Sequence, residues 1–302
     1  MPEAETAAPP APVIENSPVE VSDGVFVIPD GRVPLVPNIG IVRGSRAVLV
    51  IDAGIGPRNG EIVRRHAEEL ASGLPLFLTV THFHPEHGFG AQAFADGATI
   101  VYNREQRDDL RANGEAYLER FRTFGDAIAA QLEGVYLVEP HVVYDGAAEV
   151  ALGGIGAELR TFGLAHTRSD QVVLVPEQRV LFTGDLVESR CFAIFPWFPP
   201  DEVDVDGDRW IAVLEQLERL EPAVVVPGHG DVGDAGVIVT AREYLEQLRD
   251  ESRRLAREGA SEDEVAAELD RSMRELHPDW AQPEWIAFGA RHFYATAGGD
   301  QG

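Results

Sequence analysis

Five of the nine histidines fall in three short segments bounded by glycine or proline: T-H-F-H-P-E-H-G at 81–88, L-A-H-T-R-S-D at 164–170 and P-G-H-G at 227–230. Imidazoles and carboxylates gathered in this way suit the holding of divalent cations, and F-T-G-D-L at 182–186 adds one more carboxylate, Asp185. In extended backbone residues i and i+2 face the same way, so His82 and His84 can aim at one point, and Pro85 keeps His84 out of helical geometry. Glu86 and His87 follow where the chain turns toward a helix, which opens a second ligand direction. One loop can thus serve two adjacent cations, and a carboxylate such as Asp185 can bridge them. Paired cations of this kind bring a shared water toward neutral pKa and polarise an electrophilic oxygen, chemistry that cleaves acyl bonds.

The elements that would position these groups alternate along the chain. Residues 25–28, 38–42 and 47–51 read as strands, 61–71 as a helix, and 74–81 as a buried strand running straight into the first histidine cluster. A second round begins with a strand at 98–102 and one or two helices over 105–132, long enough to roof a site. Strand-like runs at 134–138, 149–152, 158–162, 171–175 and 179–183 predict a second sheet; a helix at 210–220, a strand at 223–227 and a helix at 237–258 follow. Two sheets with helices outside them predict an α/β fold of the αββα sandwich type. The expected organisation is a disordered Pro- and Ala-rich tail over 1–17, one domain over 18–235, and a helical extension over 236–302 packed on the domain or on a dimer partner.

In these residues and their order, over roughly 20 to 235, the chain resembles the metallo-β-lactamase fold superfamily, whose pattern is H-x-H-x-D-H, then His, then Asp, then Gly-His. The resemblance implies that His82, His84 and His166 hold one metal while Glu86, His87 and His229 hold the other, with Asp185 bridging and Asp52 supporting the site from behind the ligands. It further implies two divalent ions, zinc first with manganese or iron as alternatives. Asp185 and Glu86 are then the side chains expected to act in catalysis. Glutamate stands at 86 where the family usually has aspartate; its extra methylene adds roughly 1.5 Å of reach, and the expectation is a second site retained with weakened affinity.

The implied activity is hydrolysis of an ester, lactone, thioester or amide in a small molecule by a metal-bound hydroxide, as in glyoxalase II, lactonases and β-lactamases of this fold. The alternatives are a mononuclear iron persulfide dioxygenase, an alkylsulfatase or phosphodiesterase, and a non-catalytic metal-binding protein. A net charge of -26 repels phosphate backbones, which excludes polynucleotides and offers anions no global attraction. The aromatic, Pro-rich run 188–200 could wall a pocket for an apolar group, so the expected partner is a small molecule with an apolar part, and a homodimer is credible. The start of the chain lacks a basic n-region and an apolar h-region, and no apolar stretch reaches spanning length, so the expectation is a cytoplasmic protein free of membrane. His66, His141, His277 and His292 are expected to be structural, and Cys191 to be a small hydrophobe near the site.

Overall fold

Alternate residues along the central strands go to different cores, and that period of two builds the architecture. In β4 (Val48–Ile51), Val48 and Val50 join one cluster, while Leu49 and Ile51 join another. The computed structural model describes residues 10–195 and 204–298. Within them, β1 (Val19–Ser22), β2 (Val25–Ile28), β3 (Ile39–Arg43), β4, β5 (Leu76–Thr79), β6 (Ala98–Asn103) and β7 (Val142–Tyr144) form a seven-stranded sheet in that spatial order. Its first four strands are antiparallel neighbours; β4 to β7 run parallel, as strands joined by helical crossovers must. The second sheet is ordered β12 (Val224–Gly230), β11 (Val180–Ser189), β10 (Gln171–Val175), β9 (Gly156–Thr161), β8 (Ala147–Ala151), with only β11 and β12 parallel.

Three apolar layers hold this together. Leu49, Ile51 and Val27 meet Val173, Val175, Phe182 and Val226 between the sheets. Outside the first sheet, α1 (Pro57–Ala71) and α3 (Arg104–Arg122) cover Ile39, Ile41 and Leu78, with α2 (Pro85–Gly88) and α4 (Asp126–Gln131) as short pieces on the same side. Outside the second, α5 (Gly207–Glu218), α6 (Gly236–Arg257), α7 (Glu262–Leu276) and α8 (Trp285–Ala295) cover Val172, Leu181 and Val225. The expected αββα sandwich is therefore present, and the aromatic extension docks on the domain itself, Phe293 lying fully buried in that outer layer. Helix starts follow sequence chemistry: Asn103 with Gln106, and Ser261 with Glu264, form capping boxes for α3 and α7. No helix among the described residues is long and apolar enough to cross a membrane.

Two sequence expectations are corrected. The tail is shorter than 1–17, because Val13 and Ile14 are buried and Asn59 of α1 brackets them, accepting from Ile14 N at 3.0 Å and donating to Pro12 O at 2.7 Å. Residues 1–9 lie outside the described residues. The run 134–138 is no strand: Gly134 sits at φ 75°, Val135 N turns back to Leu132 O, and Tyr136 N donates to Gln92 Oε1, so the apolar side chains pack without a ladder. The first strand of this stretch is β7 instead, and it extends the first sheet. Residues 196–200 of the aromatic run also lie outside the described residues.

Candidate metal centre

The five histidines, Glu86 and Asp185 converge where strand ends of both sheets meet. His82 and His84 follow β5, Glu86 and His87 lie in α2, His166 precedes β10, Asp185 lies in β11 and His229 in β12. Ligand atoms of His82, His84, His166 and Asp185 all lie within 4.8 Å of one another, as do those of Glu86, His87, Asp185 and His229, and Asp185 belongs to both groups. All seven residues are buried. Glu86, despite its extra methylene, thus reaches the second group. His66, His141, His277 and His292 stay outside: His141 Nδ1 accepts from Ile100 N, His292 Nε2 accepts from Gly207 N, His277 stacks on Trp280 at 4.0 Å, and His66 sits 3.7 Å from Glu69.

The chain fixes each ring from behind. Asp52, directly after β4, accepts from Thr81 N at 2.6 Å and pairs with His87 Nδ1 at 2.9 Å, which leaves His87 Nε2 3.3 Å from Asp185 Oδ1. This matches the supporting role implied for Asp52, and its φ of 68° is a left-handed conformation that Asp tolerates better than most residues. His229 Nδ1 donates to Val36 O at 3.1 Å, and His166 Nδ1 lies 3.4 Å from Asp170 Oδ1 with the Trp210 ring 5.2 Å from its own. Asn38 holds the β12 end by donating to Pro227 O and Gly230 O. None of Asn38, Asp170, Trp210 or Val36 was expected from sequence as part of the site; Asp170 alone had a signal, since it closes the quoted 164–170 segment.

Glycine makes two close approaches possible. A Cβ at Gly228 would lie 1.9 Å from Asp185 Oδ1, and one at Gly90 would lie 2.1 Å from Ala53 O. The second contact lets the histidine loop seat on the end of β4, with Ala53 N donating to His87 O and Gly90 N to Gly54 O.

A cation fits this donor set. Nε2 of His82, His87, His166 and His229, Oε2 of Glu86 and both oxygens of Asp185 are buried with no hydrogen-bond partner among the described residues. So many unsatisfied polar atoms aimed at one region would be strongly destabilising unless a ligand meets them. Burial, then the neighbouring imidazoles, holds His82 and His84 well below the ordinary histidine pKa, so both are neutral. Burial opposes a charged Asp185, yet His87 and His229 outweigh it and hold its carboxyl well below the usual range. Glu188, buried three residues further along β11, has its pKa pushed well up by burial and by Asp185, while its Oε2 accepts from Ile194 N. The protein therefore carries a site for a divalent cation built from clustered His and carboxylate ligands.

Above the centre lies a cavity of about 370 Å³. Its floor is His84, Glu86 and His229; its walls come from the 29–38 loop, the end of α3, Ile194 and residues 281–285 before α8. The 188–195 part of the aromatic run thus contributes Ile194 to a pocket wall, while Phe192 and Phe195 pack inward. Cys191 is buried with its thiol pushed up to about 12 by burial, consistent with an inert small side chain beside the site.

Comparison with known proteins gives the same picture. Residues 32–229 match the sequence profile of the metallo-beta-lactamase superfamily. Over 209 residues, 64% of this chain and 72% of the relative, the chain is 26% identical to the acyl-coenzyme A thioesterase MBLAC2 of Homo sapiens. Among solved structures it resembles a metallo-beta-lactamase from Pontibacter korlensis, with a TM-score of 0.58 and 19% identity, covering 77% of this chain and 99% of that one. It also resembles a stereoselective inverting sec-alkylsulfatase from Pseudomonas sp., with a TM-score of 0.71 and 17% identity, covering 94% of this chain and 50% of that one.

Proposed function

This chain belongs to the metallo-beta-lactamase superfamily, and on that footing we propose that it is a metal-dependent hydrolase of a small-molecule ester or thioester. One observation carries the reading: two buried ligand groups share Asp185 and open directly onto an apolar cavity. His82, His84, His166 and Asp185 would hold one divalent ion, and Glu86, His87, Asp185 and His229 a second, with zinc the first choice for a donor set of imidazole and carboxylate. When bound, such ions activate water and polarise the scissile carbonyl.

The chain's own residues do the rest. Asp52, Val36 and Asp170 fix ring orientation, so that the Nε2 atoms of His87, His229 and His166 point inward. Asp185, held ionised among imidazoles, offers two oxygens that can orient a water and take up a hydrogen bond from it. The cavity walls keep bulk water from the acyl group and set its approach to the floor. Thioester cleavage is supported by the relationship to a protein named as an acyl-coenzyme A thioesterase.

The test is a panel of aryl esters, lactones and thioesters incubated with zinc-loaded protein and with its Asp185→Ala variant. Ester or thioester turnover that falls at least about 10²-fold in the variant is expected. If every member of the panel stays intact with fully loaded protein, the proposal is overturned.

A further inference from the structure

Resting on that reading and deepening it, we infer that the cavity selects a medium-length apolar acyl group joined to an uncharged leaving group, and that Trp285 in the C-terminal extension is the side chain that reads the acyl chain. Leu35, Phe121, Phe124, Ile194 and Trp285 make the walls apolar. Apart from the candidate ligands on the floor, the one ionisable residue among the described residues of the lining is an acid, Glu284. All 25 basic residues of the chain are arginines, and none lines the cavity. Arg32, in the same loop as Leu35, is taken up by Asp231 at 2.5 Å and Ser189 O at 3.1 Å. Arg120 stands over the Phe124 ring, 5.3 Å from its centroid, outside the lining.

Size then divides the substrate in two. A cavity of about 370 Å³ with apolar walls suits an acyl chain whose carbonyl sits on the floor, and the rest of the substrate extends outward from it. The leaving group therefore lies outside the acyl space, with an acid, Glu284, in the lining and a net charge of -26 on the chain. A phosphate-bearing carrier meets net repulsion there, since no guanidinium enters the lining, whereas a neutral thiol or alcohol meets none.

The wall that reads the chain lies beyond the family-matched residues 32–229. It is pinned beside the ligands by backbone: Phe192 N donates to Ala281 O and Ala281 N to Arg190 O, each at 3.0 Å, a parallel bridge continuing from β11, the strand that carries Asp185. The extension therefore sets the depth of the pocket over a site it does not itself help to ligate.

Two octanoyl thioesters, one of neutral N-acetylcysteamine and one of coenzyme A, are compared by kcat/KM on zinc-loaded protein at low and high ionic strength. The neutral thioester should be favoured at least about tenfold at low ionic strength, and added salt should narrow the gap. Acetyl and octanoyl esters of the neutral thiol are then compared in Trp285→Ala and in Phe124→Ala, the latter at a 46% exposed position where truncation leaves the fold intact. A buried methylene is worth about fourfold in kcat/KM, so either variant should lower the octanoyl-to-acetyl ratio at least about tenfold. Equal or better use of the coenzyme A ester, or an unchanged ratio in Trp285→Ala whatever Phe124→Ala shows, overturns the inference while the hydrolase reading stands. No cleavage of any thioester sinks both.

Discussion

Replacing Asp52 separates what holds the fold from what orients a ligand. Its carboxylate accepts from Thr81 N and Thr81 Oγ1 and pairs with His87 Nδ1, and none of these atoms reaches solvent to compensate. Asp52→Ala strands the Thr81 amide, worth about 1–3 kcal/mol, and removes a charge-assisted bond worth about 1.5–3 kcal/mol. It also places a non-glycine residue without a local acceptor at φ 68°. A loss of about 3–5 kcal/mol in stability is expected. Asp52→Asn keeps an acceptor for Thr81 and tolerates the left-handed backbone, so its loss should be about 1–2 kcal/mol. Its amide, however, donates where the carboxylate accepted, so His87 turns to the other tautomer and carries its proton on Nε2, facing Asp185. Affinity of the His87 group for a cation should fall about 10–100-fold, the scale seen when a hydrogen bond behind a ligand is lost. Calorimetric zinc titration of stripped protein, paired with thermal melts, reads both effects. If the Asn variant binds zinc as the parent does, with the same number of sites and the same affinities, the orienting role assigned to Asp52 is wrong.

Three other predictions concern the framework. Asp109, buried in α3 with Oδ1 accepting from Asn113 and Tyr117, has its pKa pushed up to about 6 by burial. Its folded pKa is raised, so its contribution is favourable at low pH and is lost as pH rises through about 6; Asp109→Asn should therefore stabilise by about 1–3 kcal/mol at pH 8, with the gain vanishing below about pH 4 in melts taken across pH. Ile14→Ala removes a buried side chain from the first core and should lower stability by about 2–4 kcal/mol in urea unfolding, whereas a free tail would give no change. Gly228→Ala forces Asp185 out of place, and zinc binding should fall at least about 10²-fold in the same titration that leaves a Gly156→Ala control, whose Cβ would meet only the flexible end of Glu149, near the parent value.

The residues that gather into the two groups were legible because their chemistry is dense in sequence: His82 to His87 lie within six residues, and His166, Asp185 and His229 each lie in a short motif. The groups that orient them were not. Val36 and His229 lie 193 residues apart, and Asn38 and Gly230 lie 192 apart, distances that no local pattern encodes. The run 134–138 misled because β-branched and apolar residues signal burial as well as pairing, and here Gln92 takes the backbone that a neighbouring strand would need. Composition hid the N-terminal anchor, since Pro and Ala around Val13 and Ile14 outweigh two apolar residues that Asn59 captures. The aromatics of the extension pointed to a packed surface without saying against what; that Trp285 lines the cavity above the clustered histidines follows only from the bridge between Cys191 and Ala281.

The central claim is that the two ligand groups sharing Asp185 make this chain a hydrolase. The most direct measurement is hydrolysis of a neutral octanoyl thioester by chelator-stripped protein as zinc is added back in known molar ratio. No turnover is expected without zinc, then rising turnover on addition and a plateau at two equivalents per chain. Turnover that persists in the stripped protein, or none at any loading, would contradict it.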